Sequence, residues 1–86
     1  MRDPSSEPEL ILYTTAGCHL CEQAEAILRN ELLGFQLRLV DIADSEALVT
    51  RYGLRIPVVR VGGSDAELGW PFNALALADF LDQNSD

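Results

Sequence analysis

The first third of the chain carries a strand–turn–helix pattern with two cysteines at its junction, and this pattern limits the folds open to the chain. Leu10 to Thr14 is an apolar run of strand length, and a turn follows it. From Cys18 to about Leu33 the apolar period becomes helical, and Gly34 is expected to end the helix. The members of this apolar stripe are Leu20, Ala24, Ile27, Leu28 and Leu32. The sequence therefore predicts a strand that passes into a helix at Cys18.

The rest of the chain alternates strand and helix patterns. The predicted elements are a strand at 36–42, a helix at 45–52 capped by Asp44 or Ser45 and ended by Gly53, a strand at 58–61, a hairpin turn at 62–65 into a strand at 66–68, and a last helix capped by Asn73. The apolar side of this last helix is expected to include Leu75, Leu77, Ala78 and Leu81. The order β-α-β-α-β-β-α predicts an α/β fold with a four-stranded mixed sheet and three helices. Its first two strands should be parallel and its last two antiparallel.

Domain organisation follows from length and composition. The 86 residues are enough for one small domain, which we place at residues 9–83. Residues 1–8, with two prolines and two serines, are expected to form a flexible N-terminal arm, and residues 84–86 should fray.

Charge excludes two classes of partner. Fourteen acidic residues against six basic ones, all arginine, give a net charge of −8. Nucleic acid and anionic membranes attract clustered positive charge, so neither is an expected partner. No apolar run reaches the length of a membrane span, and residues 1–8 lack the apolar core of a secretion signal. We therefore expect the protein to be cytoplasmic. We also expect it to be a monomer.

The spacing of Cys18 and Cys21 points to chemistry. A disulfide between near neighbours closes a very small loop and constrains the unfolded chain little, which leaves redox chemistry, metal binding or accident. Structural zinc needs four ligands, and the only histidine, His19, lies inside the pair, so no metal is expected. A cysteine at a helix start meets unpaired N–H groups that favour its thiolate. Cys18 is therefore the predicted nucleophile and Cys21 the resolving thiol, and a charged His19 would favour the thiolate further.

The Cys-His-Leu-Cys centre, the Ile56–Pro57 step and the Trp70-Pro71-Phe72 segment resemble small bacterial glutaredoxin-like proteins of the thioredoxin-like superfamily. The resemblance covers residues 9–83. It implies that Ile56 and Pro57 form the platform for the substrate chain. Thioredoxin has a buried aspartate where this chain has Leu12. Glu25, either a substitute for that aspartate or an exposed helix glutamate, is a second modulating candidate.

The resemblance also bears on glutathione. Glutaredoxins that use it carry a basic residue before the nucleophile and a Gly-Gly segment at the last helix. Here residues 14–17 carry no positive charge, and Pro71 removes an N–H donor from the matching segment. Asn73 is a candidate replacement for an aspartate of that segment, and Trp70 is either a core anchor or an aromatic rim beside the dithiol. Both are candidate substrate-binding residues, and no cofactor is expected.

The sequence therefore predicts a thiol–disulfide oxidoreductase that exchanges its dithiol with protein or small-molecule disulfides. A cellular reductant would complete the cycle. Two alternatives stay open: a glutathione-dependent glutaredoxin, and a non-catalytic module that senses redox state or shares an iron–sulfur cluster.

Overall fold

The computed structural model describes residues 9–31 and 35–84. The elements, in chain order, are β1 (Glu9–Thr14), α1 (His19–Asn30), β2 (Gln36–Asp41), a 3-10 turn (Ile42–Asp44), α2 (Glu46–Tyr52), β3 (Val58–Val61), β4 (Glu67–Gly69) and α3 (Ala74–Gln83). This is the predicted order of three helices and four strands, and the predicted α/β class is confirmed.

The sheet has the order β2-β1-β3-β4. β1 and β2 run parallel, whereas β3 is antiparallel to both β1 and β4. Tyr13, near the end of β1, pairs with Val58, and Val58 pairs with Gly69 at the end of β4. The register therefore brings the end of β1, the start of β3 and the end of β4 to one end of the sheet.

Each face of the sheet packs its own core, because successive strand residues point to opposite sides. The larger core holds β1, β3, α1 and α3, and its fully buried members include Leu10, Leu28 and Leu77. The smaller core holds alternate strand residues together with α2 and includes Tyr13, Tyr52 and Val58. Both faces of the sheet are thus covered by a core.

Two leucines expected in the apolar stripes are exposed instead. Leu20 is 46% exposed, because the buried positions of α1 are Cys21, Ala24 and Leu28, and Leu20 lies at the margin of that stripe. Leu75 is 72% exposed, since it lies about 200° around the helix from the buried Leu77.

The end of α1 differs from the prediction, and some predicted segments fall outside the described residues. α1 ends at Asn30, and the Glu31 N–H closes it by donating to the Leu28 carbonyl at 3.0 Å, so the helix stops before the predicted Gly34. Residues 32–34, the predicted N-terminal arm at 1–8 and the last two residues lie outside the described residues. Among the residues that the structure describes, no helix has the length and apolar character needed to cross a membrane.

Candidate functional site

The Cys18 sulfur caps helix α1. After β1 the chain turns through Gly17, whose φ of +77° lies in the left-handed region that favours glycine. Cys18 then takes an extended conformation, and its Sγ accepts the Cys21 backbone N–H at 3.1 Å. A helix start presents several N–H groups without helical acceptors, so this position favours negative charge on the sulfur.

Cys18 and Cys21 form a disulfide with a Cα–Cα distance of 5.2 Å. Cys21 is 2% exposed, whereas Cys18 is half-buried. The pair predicted from spacing is therefore brought together as one outer and one inner sulfur. Cys18 is thus the more exposed residue of the pair, and its role as nucleophile and that of Cys21 as resolving thiol stay predictions.

Of the two modulating candidates on α1, His19 is exposed and Glu25 is partly buried. The His19 side chain is 91% exposed, and its Nδ1 lies 3.3 Å from Glu22 Oε2. Glu25 accepts the Arg29 Nε–H at 2.9 Å and forms an ion pair with the same guanidinium. The roles of His19 and Glu25 toward the sulfurs stay predictions.

Ile56 and Pro57 lie at the same end of the sheet as the disulfide, because Val58 pairs with Tyr13 near the end of β1. The Ile56–Pro57 peptide bond is cis, and Pro57 is fully buried. The Pro57 carbonyl accepts the Trp70 N–H at 3.2 Å. The register thus groups the dithiol with the predicted substrate platform and the segment after β4, although substrate binding by these residues stays a prediction.

Trp70 and Asn73 have defined structural neighbours. Trp70 is half-buried against the larger core, and its ring meets that of the buried Phe72 edge to face, with centroids 5.1 Å apart. Trp70 is therefore both a packing residue and partly accessible. Asn73 caps α3, since its Oδ1 accepts the Ala76 N–H at 2.8 Å. Whether either residue also binds substrate stays a prediction.

A buried tyrosine and a glutamate form a polar cluster that was not anticipated from the sequence. The Tyr52 hydroxyl donates to Glu67 Oε2 at 2.6 Å, and Arg55 Nη2 donates to Glu67 Oε1 at 3.0 Å. Arg51 lies 3.6 Å from the same carboxylate, and the Tyr52 ring stacks on that of Tyr13 with centroids 4.2 Å apart. The only local signal is the i, i+4 spacing of the two arginines around Tyr52, and it does not identify Glu67.

The cluster shifts two titrations. Burial first, and then the hydrogen bond to Glu67, raise the pKa of Tyr52 to about 12. Burial alone would raise the pKa of the Glu67 carboxyl. The hydrogen bonds from Tyr52 and Arg55, together with the two guanidinium charges, outweigh it and hold that pKa below its ordinary value. The carboxylate is thus kept ionised and the phenol neutral.

No metal centre is found in residues 9–31 and 35–84, where no three His, Cys, Asp or Glu side chains come together as ligands could.

Comparison with known proteins shows a consistent set of relatives. A family model described as Glutaredoxin-like domain (DUF836) matches residues 9–82. The structure of protein XcR50 from X. campestris is 43% identical, with a TM-score of 0.77 over 86% of this chain and 96% of that one. A glutaredoxin from Brucella melitensis is 25% identical, with a TM-score of 0.57 over 96% of this chain and 91% of that one.

Another solved structure shares the fold, and the thioredoxin-like fold class predicted from the sequence is thereby confirmed. Thioredoxin O2 from Arabidopsis thaliana, in the oxidized state, is 24% identical, with a TM-score of 0.60 over 92% of this chain and 76% of that one. No curated protein matches the chain.

Proposed function

Since the chain belongs to the glutaredoxin-like family (DUF836), we propose that it is a thiol–disulfide oxidoreductase, exchanging its Cys18–Cys21 dithiol with disulfides of proteins or small molecules. The observation that carries this proposal is the asymmetry of the pair. The half-buried Cys18 sulfur caps α1, and Cys21 is buried behind it. A cytoplasmic location suits this chemistry, because reductants there keep thiols reduced.

The reaction proceeds in two exchange steps. The Cys18 thiolate attacks one sulfur of a substrate disulfide, forms a mixed disulfide and releases the other sulfur as a thiolate. The Cys21 thiolate then attacks the Cys18 sulfur, which forms the intramolecular disulfide and releases the second substrate thiolate. The substrate gains two electrons, and the protons of the two enzyme thiols end on the released thiols. A cellular thiol or dithiol reductant reverses these steps on the protein.

The first attack is favoured at Cys18 for two reasons. Its sulfur accepts an N–H at the start of α1, so the same backbone groups stabilise the thiolate. It is also the more accessible sulfur, because Cys21 is 2% exposed. Cys21 follows one helical turn later, within bonding distance of the sulfur that it must attack.

Trapping the mixed disulfide tests the proposal. Reduced Cys21→Ser protein mixed with hydroxyethyl disulfide should gain the mass of one substrate half, because its resolving thiol is missing. The wild type should return to the intramolecular disulfide. The matched Cys18→Ser variant should form the adduct far more slowly. Adducts that form equally fast on both variants would contradict the assigned roles, and absence of exchange in the wild type would contradict the function.

A second experiment, on the oxidised wild-type protein, identifies the reductant. Its disulfide is offered in parallel to glutathione with glutathione reductase and to a thioredoxin-reductase system, and the two reduction rates are compared. Faster reduction by glutathione would favour the glutaredoxin alternative. Visible absorbance of freshly purified protein would instead favour the cluster-sharing module.

A further inference from the structure

The carboxylate of Glu67 is linked by side chains to the segment that leads into Pro57. Glu67 belongs to β4, and its side chain is 15% exposed. One oxygen accepts the Tyr52 hydroxyl at 2.6 Å, and the other accepts Arg55 at 3.0 Å. Hydrogen bonds to an ionised acceptor are the stronger kind. Through Glu67, β4 therefore holds the side chains of Tyr52 and Arg55.

Tyr52 is also hydrogen-bonded to the backbone of the segment before Pro57. Its carbonyl accepts the Arg55 N–H at 2.8 Å and the Ile56 N–H at 3.0 Å. The same residue is thus bonded to Glu67 through its hydroxyl and to the segment through its backbone. The Tyr52 ring is buried and stacked on that of Tyr13, and this packing restricts movement of the side chain.

β4 also holds the segment from its other end. The Trp70 N–H donates to the Pro57 carbonyl at 3.2 Å, and Gly69 pairs with Val58. Residues 55–57 therefore lie between two sets of contacts that both originate on or just after β4, one through the Glu67 side chain and one through the backbone.

We infer that Glu67 is a positioning residue: through Tyr52 and Arg55 it fixes residues 55–57 at the end of the sheet where the dithiol lies, and so sets the surface on which a peptide disulfide docks. This inference rests on the proposed function. Removing the carboxylate leaves a buried hydroxyl without this acceptor and takes away the anion that faces both arginines, so the segment loses its side-chain restraint. A substrate that pairs with the segment should suffer more than one that reaches only the sulfur.

Glu67→Ala and Glu67→Gln are compared with Glu9→Gln. Glu9 is a suitable control because it also pairs with an arginine, Arg38, at 3.6 Å, but it lies at the start of β1, at the other end of the sheet. Glu67→Gln keeps an oxygen that accepts the tyrosine hydroxyl and loses the charge. All assays are run well below the melting temperature of each variant, so a variant that is merely less stable is still measured in its folded state.

The first readout is amide hydrogen exchange at Ile56 and Trp70, which does not depend on catalysis. Glu67→Ala should speed exchange at both amides about tenfold relative to Glu9→Gln. Glu67→Gln should recover only part of the protection, because it keeps an acceptor for the tyrosine hydroxyl but loses the second oxygen and the charge. Protection in Glu67→Ala equal to that of the control would overturn the inference.

The second readout is the ratio of two exchange rates, one with a synthetic peptide containing a single disulfide and one with hydroxyethyl disulfide. Glu67→Ala should lower this ratio about tenfold, because a displaced platform misaligns only the larger substrate. An unchanged ratio, or equal losses with both substrates, would show that Glu67 does not act through the docking surface. A wild type that exchanges with neither disulfide would overturn the proposed function, and amide exchange would still decide whether Glu67 holds the segment.

Discussion

Replacing Gly17 by alanine tests whether the turn before Cys18 depends on a left-handed backbone. The φ of this residue is +77°, and a Cβ built on it would meet nothing within 4 Å. The substitution therefore introduces no clash, and its effect comes from the dihedral angle alone. An L-residue in this region costs roughly 1–2 kcal/mol.

Gly69→Ala is the matched control. A Cβ at Gly69 also meets nothing within 4 Å, and its φ is not in the left-handed region. Both substitutions stiffen the unfolded chain by a similar amount, roughly 0.4–1 kcal/mol, so this contribution cancels when the two variants are compared. The Gly17 variant should therefore be less stable than the Gly69 variant by roughly 1–2 kcal/mol.

Thermal and urea unfolding of the oxidised proteins, followed by circular dichroism, measure this difference. For a domain of this size 1 kcal/mol corresponds to about 4–8 °C in melting temperature. Gly17→Asn should lie between the wild type and the alanine variant, since asparagine tolerates the left-handed region better. Equal unfolding midpoints for Gly17→Ala and Gly69→Ala, at equal m values, would refute the argument from the dihedral angle.

Three further predictions concern single side chains. In an ultraviolet titration, the difference between wild type and Tyr52→Phe should have a midpoint near 12 rather than 10, because burial and the bond to Glu67 raise this pKa. The unfolded chain releases this proton first, so the phenol's contribution to stability should be lost as pH rises from 10 to about 12; a midpoint at 10 would contradict the cluster. Asn73→Ala removes the cap of α3 and should lower the free energy of unfolding by about 1 kcal/mol. Asn73→Asp should retain most of the wild-type stability, because aspartate also caps a helix. Equal losses for the two variants in urea unfolding would show that the cap does not contribute this stability. His19→Ala should lower the reduction potential by roughly 20 mV or less, because the imidazole is largely exposed, and a potential that rises would reverse the assigned sign.

The parts of the site that lie close together in sequence could be predicted from it. The strand, the turn and the cysteine spacing act within a few residues of one another, so the placement of Cys18 at the start of α1 follows from local preferences. The fold class followed because alternating strand and helix patterns leave few topologies open. The same reasoning identified Asn73 as the cap of α3, since its side chain bonds an N–H only three residues on.

Contacts between distant residues could not be predicted in this way. Tyr52 and Glu67 are separated by fifteen positions and meet only through the pairing of β3 with β4. A periodic apolar pattern also does not reveal the width of the face that is covered. Leu20 and Leu75 fit the pattern, yet both are exposed because their helices bury narrower stripes.

Because the Cys21 amide donates a hydrogen bond to the Cys18 sulfur, the NMR signal of this amide should report the chemical state of that sulfur. The amide proton senses the electron density of the atom that accepts it, and a thiolate, a disulfide sulfur and an alkylated sulfur differ strongly in that density. One cross-peak in a proton–nitrogen correlation spectrum can therefore follow each chemical form of the outer sulfur during a reaction. No dye has to be attached to the protein, because the observed amide is itself hydrogen-bonded to the sulfur that reacts.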